Sequence, residues 1–402
     1  MIDLELSPQQ KMMRDMFHQL ARNDFRPLSL RCDRESRADD AFLEKMNKMG
    51  ITMRTGADAA PRKKKAVSEK PKGPSDVNRL SALAAEELSW GDAALLMSLP
   101  GPGLGGPPLG FMGTEAQREK YFSIFSKKEP ARWGAYGLTE PGAGSDVAGI
   151  RSTCRKEGNE WVINGRKCFI TNGGRASWVI VFASMDAKLG RAGHRAFIVE
   201  KGTPGFSIGK IEKKLGLRAS ETAELVFDDV RVPEENLLGG PGRYSETSKG
   251  GFRTAMKTFD STRPFVAAMG LGVARAGYEE FADWVRREHR TAAPWSAHLR
   301  RKVAEFDRRI HAARLLIWNA ASMADLGIPN TREASMSKSY ACKHAKEILR
   351  EILDLMRGTG TEQEQLVEKL FRDIQVFDIF EGTGQIQRLI IARRMMPGLE
   401  ID

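Results

Sequence analysis

Four cysteines in 402 residues, Cys32, Cys154, Cys168 and Cys342, are too scattered to form a CxxC pair. Neither a disulfide framework nor a metal site is read from them, and free thiols in a reducing compartment are expected. No apolar run is long enough to span a bilayer, so no membrane partner is expected. The opening residues MIDLEL are acidic and lack a basic, apolar leader, which argues against secretion and for a cytoplasmic protein. A dinucleotide fingerprint is also missing. The run Gly101 to Pro108 (GPGLGGPP) formally matches GxGxxG, but it follows a helical pattern instead of a strand. Pro107-Pro108 is moreover a poor entry to a phosphate-binding helix, so close backbone packing is the most the run supports.

What is present is enough apolar sequence, 41%, for two or three subdomains. The net charge of +11 is concentrated in one place, PRKKK at 61–65 continuing to KPKG at 70–73. With no apolar periodicity and several prolines and glycines, this segment reads as a solvated loop. A secondary role in steering a polyanionic ligand stays open.

The pattern along the chain is helices, then strands, then helices. Ser7-Pro8 with Gln10 signals a helix start, and Gln9 to Phe25 carries Met12, Met16 and Leu20 on one face. Further helices are expected over 40–49 (Phe42, Met46, Met49), 76–99 and 115–125. From about 132 the pattern alternates. Trp161-Val162-Ile163 runs into Asn164-Gly165, which predicts a two-residue hairpin, and strands are expected at 178–183, 196–200 and 224–228. Short antiparallel strands imply a small barrel or sandwich. Beyond Gly250 the stripe Phe306, Ile310, Ala313, Ile317, Ala320 and the face Tyr340, Ala341, Ala345, Ile348, Ile352, Leu355 predict long bundle helices. The fold class is therefore α+β, mainly α: a helical domain over 1–131, an antiparallel β-domain over 132–240 and a helical bundle over 241–402.

Near the end, Glu381 stands between the apolar run Val376 to Phe380 and the turn Gly382-Thr383-Gly384. A carboxylate walled by apolar side chains has a raised pKa and can remove a weakly acidic carbon-bound proton. On this stretch alone, a solvated loop glutamate beside helix-ending glycines is an equally good reading.

The order of four motifs shifts that balance. Tyr136–Asp146 (YGLTEPGAGSD), Phe169–Gly174 (FITNGG), Leu215–Ser220 (LGLRAS) with Phe227–Pro233 (FDDVRVP), and Phe380–Arg388 (FEGTGQIQR) together resemble the acyl-CoA dehydrogenase family over nearly the whole chain. The resemblance implies an N-terminal helical domain, a central β-domain and a C-terminal four-helix bundle that hold FAD between them and a neighbouring subunit. It implies α,β-dehydrogenation of an acyl-CoA thioester, with Glu381 removing the α-proton and a hydride passing from the β-carbon to flavin N5. Arg263 matches an arginine that positions the base. Tyr136, Leu138, Thr139, Gly144 and Ser145 match flavin contacts, Ser145 also facing the CoA side. Phe169 and Thr171 match the pair that packs on the ring edge and bonds near N5. Thr383 and Gln385 match cofactor contacts after the base, and Glu381 and Gly382 match substrate contacts. An electron-transferring flavoprotein as electron acceptor and a homotetramer are the implied partners.

Some family members carry the base just before the arginine of the first bundle helix. Here that residue is Thr262, which leaves Glu381 without a rival. Two cross-subunit FAD motifs depart from the pattern. The first reads Arg290-Thr291-Ala292-Ala293 without the usual aromatic-glycine pair, and the second reads Arg357-Gly358-Thr359-Gly360, where Arg357 replaces a glycine. Arg290, Arg357, Gly358 and Gly360 are the expected cofactor contacts there, with Arg357 suited to a bidentate bond to the diphosphate. The competing functions are a flavin oxidase or monooxygenase on the same fold, and a non-catalytic partner subunit or nucleic-acid-binding homologue. The last is not favoured, because the chain lacks the added basic C-terminal region of that branch.

Overall fold

Ser7 caps the first helix in a computed structural model that describes residues 4–53, 76–127, 129–244, 250–359, 362–396 and 398, with the backbone alone at 250–261, 363 and 364. The basic segment 61–73 and Gly360 lie outside the described residues. The Ser7 hydroxyl accepts from the Gln10 N–H while the Gln10 side chain accepts from the Ser7 N–H, a reciprocal capping box. Helix α1 (Pro8–Leu20) runs on through a π-helical turn, Ala21–Phe25. Its inward side is Gln10, Phe17, Leu20 and Ala21. Met12 and Met16, expected on the packed face with Leu20, are exposed. The apolar pattern misassigned the face because the buried side begins with a glutamine engaged in capping.

Short helices α2 (Ser29–Glu35) and α3 (Asp40–Met49) follow, then the long α4 (Val77–Ser98), α5 (Gly106–Met112) and α6 (Glu115–Ser123). Phe42 and Met46 are buried, whereas Met49 is exposed where Gly50 ends α3 in the left-handed region. The Gly101–Pro108 run packs closely on the protein itself: a Cβ at Gly105 would lie 2.6 Å from the Trp178 ring.

Seven strands form one sheet: β1 (Gly134–Gly137), β2 (Thr153–Glu157), β3 (Glu160–Thr171), β4 (Trp178–Ser184), β5 (His194–Glu200), β6 (Phe206–Ile211) and β7 (Thr222–Pro233). The order is β1-β4-β2-β3-β7-β6, with β5 also paired to β4. Most pairs are antiparallel, but β1 and β2 each run parallel to β4. The predicted hairpin at Asn164-Gly165 does not form. These residues lie inside β3, at a register shift in its pairing with β7, and the β2–β3 connection is made at Gly158-Asn159 instead. Gly165 has φ +144°, and a Cβ there would sit 2.3 Å from Ser152 Oγ. Asn164 is held by Asp229, whose N–H donates to its side-chain oxygen at 2.8 Å and whose Oδ1 accepts from its Nδ2 at 2.9 Å. The residues that usually turn a chain back here build a bulge.

The last part is all helix: α7 (Gly250–Glu288), α8 (Pro294–Asp325), α9 (Thr331–Met356), α10 (Glu362–Ile374) and α11 (Gly384–Met395). The expected stripe of Phe306, Ile310, Ala313, Ile317 and Ala320 is buried throughout, as are Ala341, Ala345, Ile348 and Ile352 of α9. Residues of α4 share one core with α7 to α10, so the two helical regions, distant in sequence, pack as one unit beside the sheet. A buried ionic node ties the parts together. Lys369 Nζ bonds Asp92 at 2.7 Å and Asp373 at 2.6 Å, and Asp373 accepts the Leu217 N–H at 2.6 Å.

Candidate active site

Glu381 is carried on the short turn between the 3-10 segment Gln375–Asp378 and α11. Its backbone has φ +57°, a conformation that costs a side-chain-bearing residue about 1–2 kcal/mol. Gly382 follows at φ +88°, where a Cβ would lie 2.7 Å from Gln387 Nε2. Two buried side chains hold the turn. Lys338, on α9, donates from Nζ to the carbonyls of Phe377 (3.1 Å) and Gly382 (2.8 Å). Gln387, on α11, donates from Nε2 to the carbonyls of Glu381 (3.2 Å) and Gly382 (3.0 Å). The strained turn is thus fixed from two helices, which is what allows such a conformation to persist.

The carboxylate is buried, 9% exposed. Its Oε2 accepts the Thr262 hydroxyl at 2.5 Å, while its Oε1 is buried and makes no hydrogen bond among the described residues. Burial pushes the Glu381 carboxyl up from the ordinary range, and the Thr262 bond, Lys338 and Arg263 pull the other way without cancelling it. Burial likewise lowers Lys338. Arg263, 3% exposed, follows Thr262 on α7 and has Nη1 3.5 Å from Ser335 Oγ. Tyr136, on β1, is raised by burial and then by the charge of Glu381. Thr262 and Glu381 are therefore bonded from two separate stretches of chain, with Arg263 next to Thr262 and the charge of Glu381 felt at Tyr136.

The turn after β1 is set by a buried ion pair within the motif. Glu140 accepts from Lys167 Nζ at 2.6 Å and from the backbone N–H groups of Arg151 (2.6 Å) and Ser152 (3.0 Å). Lys167 also donates to the Leu138 carbonyl, and the Thr139 carbonyl accepts the Cys168 N–H at 2.9 Å. Leu138 is buried, Thr139 half-buried, and Gly144 and Ser145 lie exposed at the far end of the turn. A Cβ on Gly144 would meet nothing within 4 Å, so this side of the turn is open.

Phe169 sits in a second bulge of β3, where the register with β7 slips between Lys167 and Ile170. Its φ is +58° and its side chain is 65% exposed. A large apolar ring held outward on a strained strand residue is not a core residue. Thr171, two positions on, is half-buried. Thr383 accepts the Ile386 N–H at 3.3 Å as the N-cap of α11, which leaves its own proton free to donate, and Gln385 is exposed on the first turn.

Arg290 and Arg357 are not brought to this cluster. Arg290 donates to the Arg286 carbonyl at 2.8 Å at the end of α7, and Arg357 pairs with Asp354 at 3.1 Å at the end of α9, beside Gly358 at φ +86°. Both arginines are exposed. Thr262, Lys338 and Gln387 were not foreseen in the sequence. Lys338 left a signal: it occupies the buried face of α9 at helical spacing from Ala341 and Ala345.

A flat, partly apolar ring with polar edges fits what these residues offer. The outward Phe169 ring is a stacking surface, and the open turn at Gly144 has room for close approach. Thr171 and Thr139 supply half-buried hydroxyls. A carboxylate with a raised pKa and one free oxygen is suited to taking a proton from carbon.

Known proteins give a consistent picture. Three family models match the chain in order: the acyl-CoA dehydrogenase N-terminal domain over residues 7–129, the middle domain over 135–230 and the C-terminal domain over 249–396. A short-chain specific acyl-CoA dehydrogenase of Clostridium acetobutylicum is 36% identical over 98% of this chain and 100% of its own length. The structure of butyryl-CoA dehydrogenase from Megasphaera elsdenii superposes with a TM-score of 0.85 at 32% identity, over 98% of this chain and 100% of that one. A chain from a structure described as the electron transferring flavoprotein of Acidaminococcus fermentans gives 0.84 at 32% identity, with the same coverage.

Proposed function

Since the chain belongs to the acyl-CoA dehydrogenase family and is an enzyme of that class, we propose that it oxidises a short-chain acyl-CoA, of butyryl size, to the α,β-unsaturated thioester, using FAD and Glu381. The observation that carries the reading is the carboxylate of Glu381: buried, raised in pKa, and hydrogen-bonded on one oxygen, with no bond on the other among the described residues.

The α-proton of a thioester is too weakly acidic for a carboxylate in water. Burial strengthens the base, and hydrogen bonds to the thioester carbonyl lower the cost of the developing negative charge. Glu381 Oε1 takes the α-proton, and the Glu381 backbone N–H donates to the thioester carbonyl. Arg263 and Lys338 keep the carboxylate ionised through space, and Lys338 and Gln387 fix the turn that carries it. Gly382 and Ser145 border the thioester and its CoA arm. FAD, when bound, supplies the acceptor for the β-hydride at its N5 position. Tyr136, Leu138, Thr139, Gly144, Phe169, Thr171, Thr383 and Gln385 hold the flavin, while Arg290, Arg357, Gly358 and Gly360 meet the cofactor of a neighbouring subunit in a homotetramer. An electron-transferring flavoprotein reoxidises the enzyme.

The short-chain assignment rests on the relatives named above. It is tested by anaerobic titration of the flavoprotein with acyl-CoAs of increasing length, following the visible flavin band. Bleaching by butyryl-CoA at the lowest concentration supports the reading. A preference for long chains, or bleaching by none, contradicts it.

A further inference from the structure

Thr262, directly before Arg263 on α7, cannot itself serve as a base, yet it makes the only direct side-chain hydrogen bond to the Glu381 carboxylate among the described residues. The hydroxyl is fully buried and donates to Oε2, a bond that is charge-assisted when the carboxylate is ionised. The other charged and titratable groups facing this carboxylate are Arg263 from α7, Lys338 from α9 and Tyr136 from β1. Lys338 directs its bonds to the carbonyls of Phe377 and Gly382, and Arg263 has Ser335 within reach, so both cations act on Glu381 through space. The two carboxylate oxygens are therefore unlike. Oε2 is tied to a helix, and Oε1 keeps its lone pairs.

We propose that Thr262 is a positioning residue for the dehydrogenation: its hydroxyl fixes Oε2 so that Oε1 is the oxygen presented to the substrate α-proton. This rests on the reading of Glu381 as the base. The bond is strongest to the ionised carboxylate and weakens once Oε1 is protonated, so Thr262 holds the base ready in its charged form while setting its angle. An alternative base at this position in the chain is thus replaced by a group that orients the base from the other side of the site.

The test uses the FAD-loaded enzyme. Thr262→Val keeps the shape and removes the hydroxyl, and Thr262→Ser restores it. The acid limb of the flavin-reduction rate is expected to move to higher pH in Thr262→Val, making reduction on that limb about tenfold slower, the scale of one hydrogen bond to a charged group. In Thr262→Ser the limb returns to the parent position. A second readout needs no turnover: the infrared carboxyl band lost in Glu381→Gln is followed against pH without substrate. It should titrate at higher pH in Thr262→Val and at the parent pH in Thr262→Ser. Superposition of Thr262→Val on the parent in both measurements overturns the proposal. If Thr262→Val fails to retain flavin, Thr262→Ala against Thr262→Ser gives the same comparison. Flavin reduction persisting in Glu381→Gln would sink the base assignment itself, whereas an essential Glu381 with an unshifted Thr262→Val sinks only the role of Thr262.

Discussion

At the scale of single residues, Glu381 is held against its preferences twice, in solvation and in backbone conformation. Burial raises its pKa, so between the unfolded value and the folded value the native state holds more protons than the unfolded chain. The group's contribution to stability is largest below the unfolded pKa and is lost as pH rises through the folded one. Glu381→Gln is therefore expected to stabilise the protein at neutral pH by roughly 0.5–2 kcal/mol, the usual gain from relieving a functional site, and to show no gain at low pH. Urea melts at the two pH values check this, and a neutral-pH loss of stability would contradict it. Phe169 makes the opposite case. Its ring is 65% exposed, so Phe169→Ala should change stability by less than about 0.5 kcal/mol. If the ring packs on the flavin, the same change should weaken FAD binding by roughly 3–10-fold, the worth of one aromatic contact. Equilibrium dialysis beside a thermal melt separates the two effects.

At the scale of elements, the turn that carries Glu381 depends on α9 and α11, and the helical unit behind it on the buried ionic node of α10. Lys369→Met would leave Asp92 and Asp373 buried without their cation, and a loss of about 3–5 kcal/mol is expected by chemical denaturation. Lys338→Met would remove the Nζ donor from the Phe377 carbonyl and leave the Gly382 carbonyl to Gln387, with an expected cost of about 1–3 kcal/mol and slower flavin reduction. A slower reaction without loss of stability would mean that Lys338 acts on the charge of Glu381 alone. Elements of this kind were legible where a period is long and unbroken. The stripe from Phe306 to Ala320 repeats at helical spacing over four turns, and all five residues are buried. Asn164-Gly165 misled because the same backbone freedom that closes a hairpin also builds a bulge, and the choice is made by Asp229, 65 residues away. Met12 and Met16 misled because one face of α1 is held by a capping glutamine. In the site, Glu381 and Phe169 stood out through their motifs. Thr262 did not, because its bond joins residues 119 positions apart.

At the scale of the molecule, Arg290 and Arg357 lie exposed at helix ends, each hydrogen-bonded, among the described residues, to its own helix. An exposed pair such as Arg357–Asp354 contributes little to folding. Arg357→Gly should therefore leave the melting behaviour of the flavin-free protein nearly unchanged while FAD is lost faster on dilution. Unchanged FAD retention would remove this arginine from the cofactor site. The most direct test of the whole account is a single-turnover experiment with butyryl-CoA under anaerobic conditions, run on the parent and on Glu381→Gln with FAD bound to both. The account predicts rapid bleaching of the flavin in the parent and loss of bleaching in Glu381→Gln at equal flavin content. Comparable bleaching in both would show that the α-proton leaves by another route and that Glu381 is not the base.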